Sequence, residues 1–294
     1  MKLSSLTALP SHLSIALGDR VPVLKPPLRR IRGWLDHQRL DRLPRVTCDV
    51  TNLRRTTSTW LRSVLADRAA AAAWSPVEIQ LAEFEITTSA SAGGVNAGDR
   101  RAIYCLVRAL RPKRVLEIGT HIGASSVHIG AALRDNDDAA GELTTVDVRP
   151  VNDPVTRPWE AAGSRFAPAD MMERIGMGAR VRFVTQPSLT FLATGDQRYD
   201  LIFLDGDHSP QTVYRELSAA LRRLAPDGVV LLHDYFPGGR PLWPDNVVAP
   251  GPWLATERLR AEGARLRIEP LGALPWPTKQ GTNVSSLAVA SRTD

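Results

Sequence analysis

Residues 115–126 read VLEIGTHIGASS, and the fold follows from how this stretch is parsed. Val115, Leu116 and Ile118 form an apolar run that ends at Gly119, and ASSVHIGAALR then takes helical spacing. A buried strand, a glycine turn and a helix in that order make the first unit of a doubly wound α/β sheet. In such sheets ligands sit outside the carboxyl ends of the strands, where the following helix offers its N-terminal N–H groups. Gly119 and Gly123 do not match G-x-G-x-x-G, which argues against a dinucleotide. Glu117 before the first glycine suits a ligand with an ammonium group. Asp147, at the end of LTTVDV, can accept from the two hydroxyls of a ribose.

Working outward, strands and helices alternate. VRFVT, YDLIFLD, GVVLLHD, RLRIEPL and SSLAVAS are predicted as strands, and ADMMERIG, SLTFLA, SPQTVYRELSAALRRL and PWLATERLRAEG as helices. The apolar strands lack period-2 alternation, as expected when both sheet faces are covered. The fold class is therefore α/β: a mostly parallel sheet with helices on both faces. Upstream, TWLRSVLADRAAAAAW is predicted as one helix. A second starts at WSPVEIQ, with Ser75 as N-cap, Pro76 at its first position and Glu78 closing a capping box. Asp99 is predicted to cap RRAIYCLVRAL.

The strand ends after YDLIF and GVVLL collect charge. LDGDHS brings Asp205, Asp207 and His208, and LLHDY brings His233 and Asp234. These two strands are expected to be neighbours, so their ends share one crevice. Aspartate oxygens with one nitrogen can hold Mg²⁺ or a similar divalent ion, so Asp205, His233 and Asp234 are candidate metal ligands. Asp207 reads either as an acid beside that metal or as a cap for the helix after Ser209-Pro210. His208 can take a hydroxyl proton near neutral pH, or it can serve as a loop-bound structural residue.

Taken together, these motifs resemble the class I S-adenosylmethionine-dependent methyltransferases, and more narrowly the metal-dependent small-molecule O-methyltransferases of the catechol O-methyltransferase type. The resemblance runs from about Val95 to Asp234. It implies a Rossmann-like seven-stranded sheet of order 3-2-1-4-5-7-6 with the last strand antiparallel. It also implies S-adenosyl-L-methionine as cofactor. VNAGD is similar to the segment near the methionine end, which carries over to Val95 and Asn96. The first motif carries over to Glu117, Gly119, Thr120, Gly123 and Ser125, the ribose position to Asp147, the adenine side to Ser188, and Asp205 also borders the cofactor. His208 stands where catechol-type relatives carry a lysine base, which implies a catalytic pair of His208 and Asp205. One departure is plain: relatives have Asp-Asn where this chain has His233-Asp234, so His233 as a direct ligand stays open.

The remaining residues set the context. Three parts are expected: a basic Pro/Arg-rich leader over 1–57, a helical extension over 58–97, and a cofactor-binding domain over 98–294. Residues 1–55 hold 11 Lys+Arg against 4 Asp+Glu in a chain of net charge +6. Without interleaved aromatic residues this reads as a solvated leader, and nucleic acid is not an expected partner. The apolar start is broken by Pro10 and His12, so a signal peptide is not expected. With two cysteines, Cys48 and Cys105, and no membrane-length apolar run, a cytoplasmic protein without disulfides is expected. A small hydroxylated molecule is the expected acceptor. Trp243 and Trp253, in a Gly/Pro-rich stretch, either line its pocket or anchor the loop. Trp159 could act from the other side, and a homodimer contact through the N-terminal helices stays open. The rival readings are a metal-free N- or O-methyltransferase, a metal-dependent hydroxylase or lyase, and a basic-armed cofactor-binding protein without turnover.

Overall fold

The structure is a computed structural model and describes residues 35–86, 94–136 and 141–293. Expectations for residues 1–34 lie outside these. The chain divides into two compact units, 1–44 and 45–294. In the first, residues 35–41 form a short helix. The expected boundaries at 57/58 and 97/98 both fall inside the second unit.

That second unit is built on a seven-stranded sheet of order β3-β2-β1-β4-β5-β7-β6. Its strands are β1 Arg114–Ile118, β2 Glu142–Asp147, β3 Val181–Thr185, β4 Tyr199–Leu204, β5 Leu224–Leu232, β6 Leu266–Pro270 and β7 Ala288–Arg292. Strands β1 to β5 run parallel, and β7 pairs antiparallel with both β5 and β6. The central strands β1, β2 and β4 are buried along nearly their whole length. That explains their unbroken apolar character, because helices cover both faces. β3 is half-exposed at the sheet edge.

The helices are α1 Ser58–Leu65, α2 Arg68–Ala82, α3 Ala97–Leu110, α4 Ala124–Asp135, α5 Pro158–Ala161, α6 Pro168–Arg174, α7 Ser188–Ala193, α8 Pro210–Arg222 and α9 Gly251–Ala261. One layer packs α1, α2 and α6 around α3 and α4, and the other packs α7 and α9 on α8. Inside the first layer, Tyr104, Ile103 and Leu106 of α3 are fully buried. Cys105 is a core residue there, and both cysteines are free.

Two helix starts differ from the sequence reading. The break comes at Ala66-Asp67 instead of Ser75: Asp67 accepts from the Ala70 N–H at 2.7 Å and caps α2. The helix then runs straight through Pro76, so Ser75 and Glu78 form no capping box. The alanine run and the burial of Trp74, Val77 and Leu81 outweigh the proline's lost hydrogen bond. α3 is capped by Asn96, whose side chain accepts from the Asp99 N–H at 3.0 Å. Asp99 sits inside the first turn, fully buried, and accepts back from the Asn96 amide at 2.7 Å.

Part of the expected leader is ordered on this unit. Leu53 bridges Gly228 within β5, Val46 N–H donates to the Tyr214 hydroxyl at 3.1 Å, and the Thr56 N–H donates to Ser291 Oγ at 2.8 Å. No helix among the described residues is long and apolar enough to cross a membrane.

Candidate active site

The parallel strands deliver their carboxyl ends to one cleft of about 620 Å³, bordered by Gly119, His121, Asp147, Ser188, Asp205 and His208, among others. Gly119 is where β1 must turn. It has φ +100°, and a Cβ there would lie inside van der Waals contact with the Asp205 carbonyl oxygen. The Asp205 N–H in turn donates to the Ile118 carbonyl at 2.9 Å, and the Gly119 N–H to Val146 at 2.8 Å. Glycine at 119 therefore serves the crossing of β1 and β4 as much as any ligand.

Asp147 ends β2 at the cleft. Its carboxylate accepts from the His121 N–H at 2.9 Å and the Arg149 N–H at 2.9 Å, which holds it in place with lone pairs to spare. At the far side, the Ser188 hydroxyl donates to Glu216. Burial pushes the Glu216 carboxyl up to about 7, against the pull of that hydroxyl.

Glu117 is placed differently from expectation. Its carboxylate is fully buried and accepts from Ser125 Oγ at 2.5 Å, Thr145 Oγ1 at 2.7 Å and the Ser126 hydroxyl. Burial raises it to about 7 even though these hydroxyls oppose the shift. It ties β1, β2 and α4 together and does not border the cleft, and Ser125 is committed to it. Thr120 is likewise buried, 2.6 Å from Thr145. Gly123, with φ +75°, starts α4 against Pro168. Val95 is buried and Asn96 is occupied as the α3 cap.

The acidic strand ends do meet. His233 Nδ1 lies 2.8 Å from Asp205 Oδ1 and 3.5 Å from Asp234 Oδ1, and its Nε2 lies 3.7 Å from Asp99 Oδ2. Neither ring nitrogen has a properly aligned hydrogen bond, although His233 is buried. Burial opposes charge on this ring, but the Asp205 and Asp234 carboxylates override it and hold its pKa well above the usual value. Burial would raise the Asp234 carboxyl, yet His233 and His208 keep it below the usual range. His208, one-third exposed, sits 3.4 Å from Asp234 Oδ2 and 3.7 Å from Asp205 Oδ1.

Ligand atoms of Asp205, His208 and His233 lie within 4.8 Å of one another. The converging trio thus contains His208, and the expected Asp234 stands beside it. Asp234, two residues past the end of β5, takes a left-handed φ of 50° and accepts from the Ser286 hydroxyl at 3.4 Å, which draws it to the β7 side. The orphaned Nδ1 of a buried imidazole facing a carboxylate oxygen fits a shared cation.

The structure separates the two readings of Asp207. It accepts from the Ser209 N–H at 2.9 Å, Ser209 Oγ at 2.9 Å and Thr212 Oγ1 at 2.8 Å, so it braces Ser209, the N-cap of α8. Trp243 is an anchor: its indole donates to the Val284 carbonyl at 3.1 Å and it packs edge-on against Phe236. Trp253 lies in α9, with its ring 5.9 Å from Tyr235, and Trp159 is buried. His121 and Glu216 border the cleft without having been singled out. His121 lay in plain view inside the opening motif, whereas nothing in the sequence marked Glu216 apart from other helix glutamates.

Residues 116–235 match a family model described as a methyltransferase domain. A protein of Mycobacterium sp. (strain JLS) named as an O-methyltransferase is 32% identical over 153 residues, covering 51% of this chain and 60% of that relative. A Mycobacterium tuberculosis (strain H37Rv) protein named in the same way is 32% identical over 160 residues, covering 53% and 62%. The chain thus spans less than two thirds of these relatives. Among solved structures, the O-methyltransferase TomG of Streptomyces achromogenes, in complex with SAM and involved in tomaymycin synthesis, superposes with a TM-score of 0.50 at 22% identity, covering 79% of this chain and 94% of that one. A Bacillus cereus O-methyltransferase in complex with SAH gives a TM-score of 0.51 at 18% identity, with coverage of 80% and 96%. These last likenesses concern the fold. With this sequence match and this strand order, residues 116–235 are similar to a methyltransferase domain and lie in a Rossmann-like seven-stranded sheet of the kind such domains use.

Proposed function

We propose that the protein is an S-adenosylmethionine-dependent O-methyltransferase acting on a hydroxyl of a small molecule. The observation that carries this is the cleft at the carboxyl ends of β1, β2 and β4. There the Gly119 turn, the Asp147 carboxylate and Asp205 come together within the matched region. Residues 98–294 would then form the catalytic domain, with 58–97 as a helical extension.

The cofactor, when bound, supplies a methyl group on a sulfonium, so the reaction needs alignment and removal of one proton. Asp147 would accept from the ribose hydroxyls, and Ser188 with Glu216 would border the adenine. Gly119 leaves room for a ligand against the backbone. His208, at the cleft wall beside Asp205 and Asp234, would take the proton from the acceptor hydroxyl. Gly251, at the start of α9, packs on the His208 backbone with no space for a side chain, which fixes the base from behind.

A divalent metal is part of this reading. Asp205 and His233 would hold it, with Asp234 completing the set where His208 stays free as the base, or with His208 where the bound ion alone lowers the pKa of the acceptor hydroxyl. Two imidazoles and a carboxylate suit Mn²⁺, Fe²⁺ or Zn²⁺ better than Mg²⁺, and the same donor set serves non-haem iron oxygenases. That donor set is the observation that favours the hydroxylase rival. The test is transfer of labelled methyl from S-adenosylmethionine to a panel of hydroxylated acceptors, with each metal and with EDTA. Melting temperature is followed in parallel. A saturable thermal shift with the cofactor and labelled product support the reading. No shift at saturating cofactor overturns it, and activity indifferent to EDTA removes the metal.

A further inference from the structure

A second cavity, of about 490 Å³, opens between α2, α3, α4 and the β6–β7 connection, and shares no lining residue with the cofactor cleft. Arg100 lines it while only 8% exposed. No carboxylate among the described residues pairs with Arg100. Its terminal nitrogens reach only the Ile86 carbonyl, at 3.4 and 3.5 Å, and its Nε has no partner. The buried Trp74 indole N–H and the Arg101 Nε are also unpartnered. A buried cation without an anion is costly, and so is a buried donor without an acceptor.

The neighbours do not supply the missing charge. His128 Nδ1 lies 2.6 Å from the Ala124 carbonyl, so it carries a proton there. Burial and the nearby Arg100 hold that ring neutral down to about pH 3. Burial alone pulls the Arg100 guanidinium down to about 10. Glu78 and Glu85 line the cavity but are exposed, and neither lies within ion-pair distance of Arg100 or Arg101. The other walls are aromatic: Trp74 stacks on His128 at 5.8 Å, and the Arg101 guanidinium lies 4.2 Å from the Trp276 ring centroid.

We infer that this cavity binds a small planar organic anion, an aromatic carboxylate. Its carboxylate pairs with Arg100 and Arg101, and its ring lies among Trp74, His128 and Trp276. Unpartnered donors at the buried end call for an anion, and the flat walls call for a ring. An inorganic anion would leave the aromatic walls without a partner.

The test uses the full chain and three probes: sodium benzoate, its neutral isostere benzamide, and inorganic phosphate. Melting temperature and tryptophan fluorescence are read together, since Trp74 and Trp276 line the cavity. Benzoate is expected to raise the melting temperature saturably, with benzamide and phosphate weaker by about tenfold or more. Arg100→Met and Arg101→Gln are each expected to weaken benzoate binding about tenfold. Arg101→Gln keeps the test readable if Arg100→Met does not fold. S-adenosylhomocysteine should leave benzoate affinity unchanged. The inference falls if wild-type protein ignores benzoate, if Arg101→Gln binds it equally well, if phosphate binds as tightly, or if S-adenosylhomocysteine competes with it. None of these outcomes depends on whether methyl transfer occurs.

Discussion

Gly119 and Asp205 directly follow the neighbouring parallel strands β1 and β4, and their backbones cross so closely that no side chain fits at 119. Gly119→Ala adds a clash with backbone and a strained φ at once. The expected cost is about 2–4 kcal/mol. Because the crossing aims Asp205, cofactor and metal responses should vanish together with the stability. Denaturant unfolding alongside ligand-induced thermal shift checks both. A variant with native stability and lost ligand binding would mean that the glycine serves the ligand alone.

The two aspartates of the LDGDHS stretch should behave differently. Asp207→Ala removes three accepted hydrogen bonds at the start of α8 and should cost about 1–2 kcal/mol. Its methyl transfer at low temperature should stay near wild type. Asp205→Ala should abolish transfer and any metal-dependent thermal shift while costing less stability. Parallel turnover and melting measurements decide this, and equal loss of activity in both variants would contradict it.

Glu117 sets a pH dependence of stability. Its folded pKa, about 7, lies above its ordinary value of 4.5. Between those values the folded state holds a proton that the unfolded state has released. Its contribution is therefore present below about pH 4.5 and is lost as pH rises to 7. Full ionisation of this buried carboxyl costs on the order of 3 kcal/mol. Glu117→Gln should flatten the fall in stability from pH 5 to 7.5 and be the more stable protein at pH 8. His128 acts in the opposite sense, its folded pKa lowered from 6.5 to about 3, so acid below pH 6.5 costs stability through that ring. Melting curves of both proteins across this range test the sign.

Pro76 lies in the interior of α2, where it leaves a carbonyl of the preceding turn without its donor. Pro76→Ala should stabilise the protein by about 1–2 kcal/mol, less than the full helix penalty because proline also restrains the unfolded chain. Chemical denaturation gives the difference, and a destabilised variant would show that the proline ring itself packs usefully.

The alternation of strands and helices was legible because it follows from local pattern, whereas the strand order came with the family resemblance. Apolar runs, glycine turns and the Ser209-Pro210 start carry their own geometry. What escaped depends on partners distant in sequence or on competing local choices. Ser75-Pro76 is a good helix start in isolation, but tertiary burial of Trp74 and Val77 keeps the helix continuous. Glu117 reads as a ligand carboxylate until Thr145 and the α4 serines are seen to enclose it. The approach of Asp99 to His233 joins the start of α3 to the end of β5, and no spacing rule reports that.

The Trp276 indole donates to the Gly98 carbonyl at 2.9 Å, and Ser286 reaches both Asp99 and Asp234 at 3.4 Å. The walls around His233 are thus assembled from the first turn of α3 and from residues that follow β6. During synthesis from the N-terminus, strands β1 to β5 can pair before this connection has left the ribosome. The nascent chain would then hold the strand-end cleft before the wall around His233 is finished.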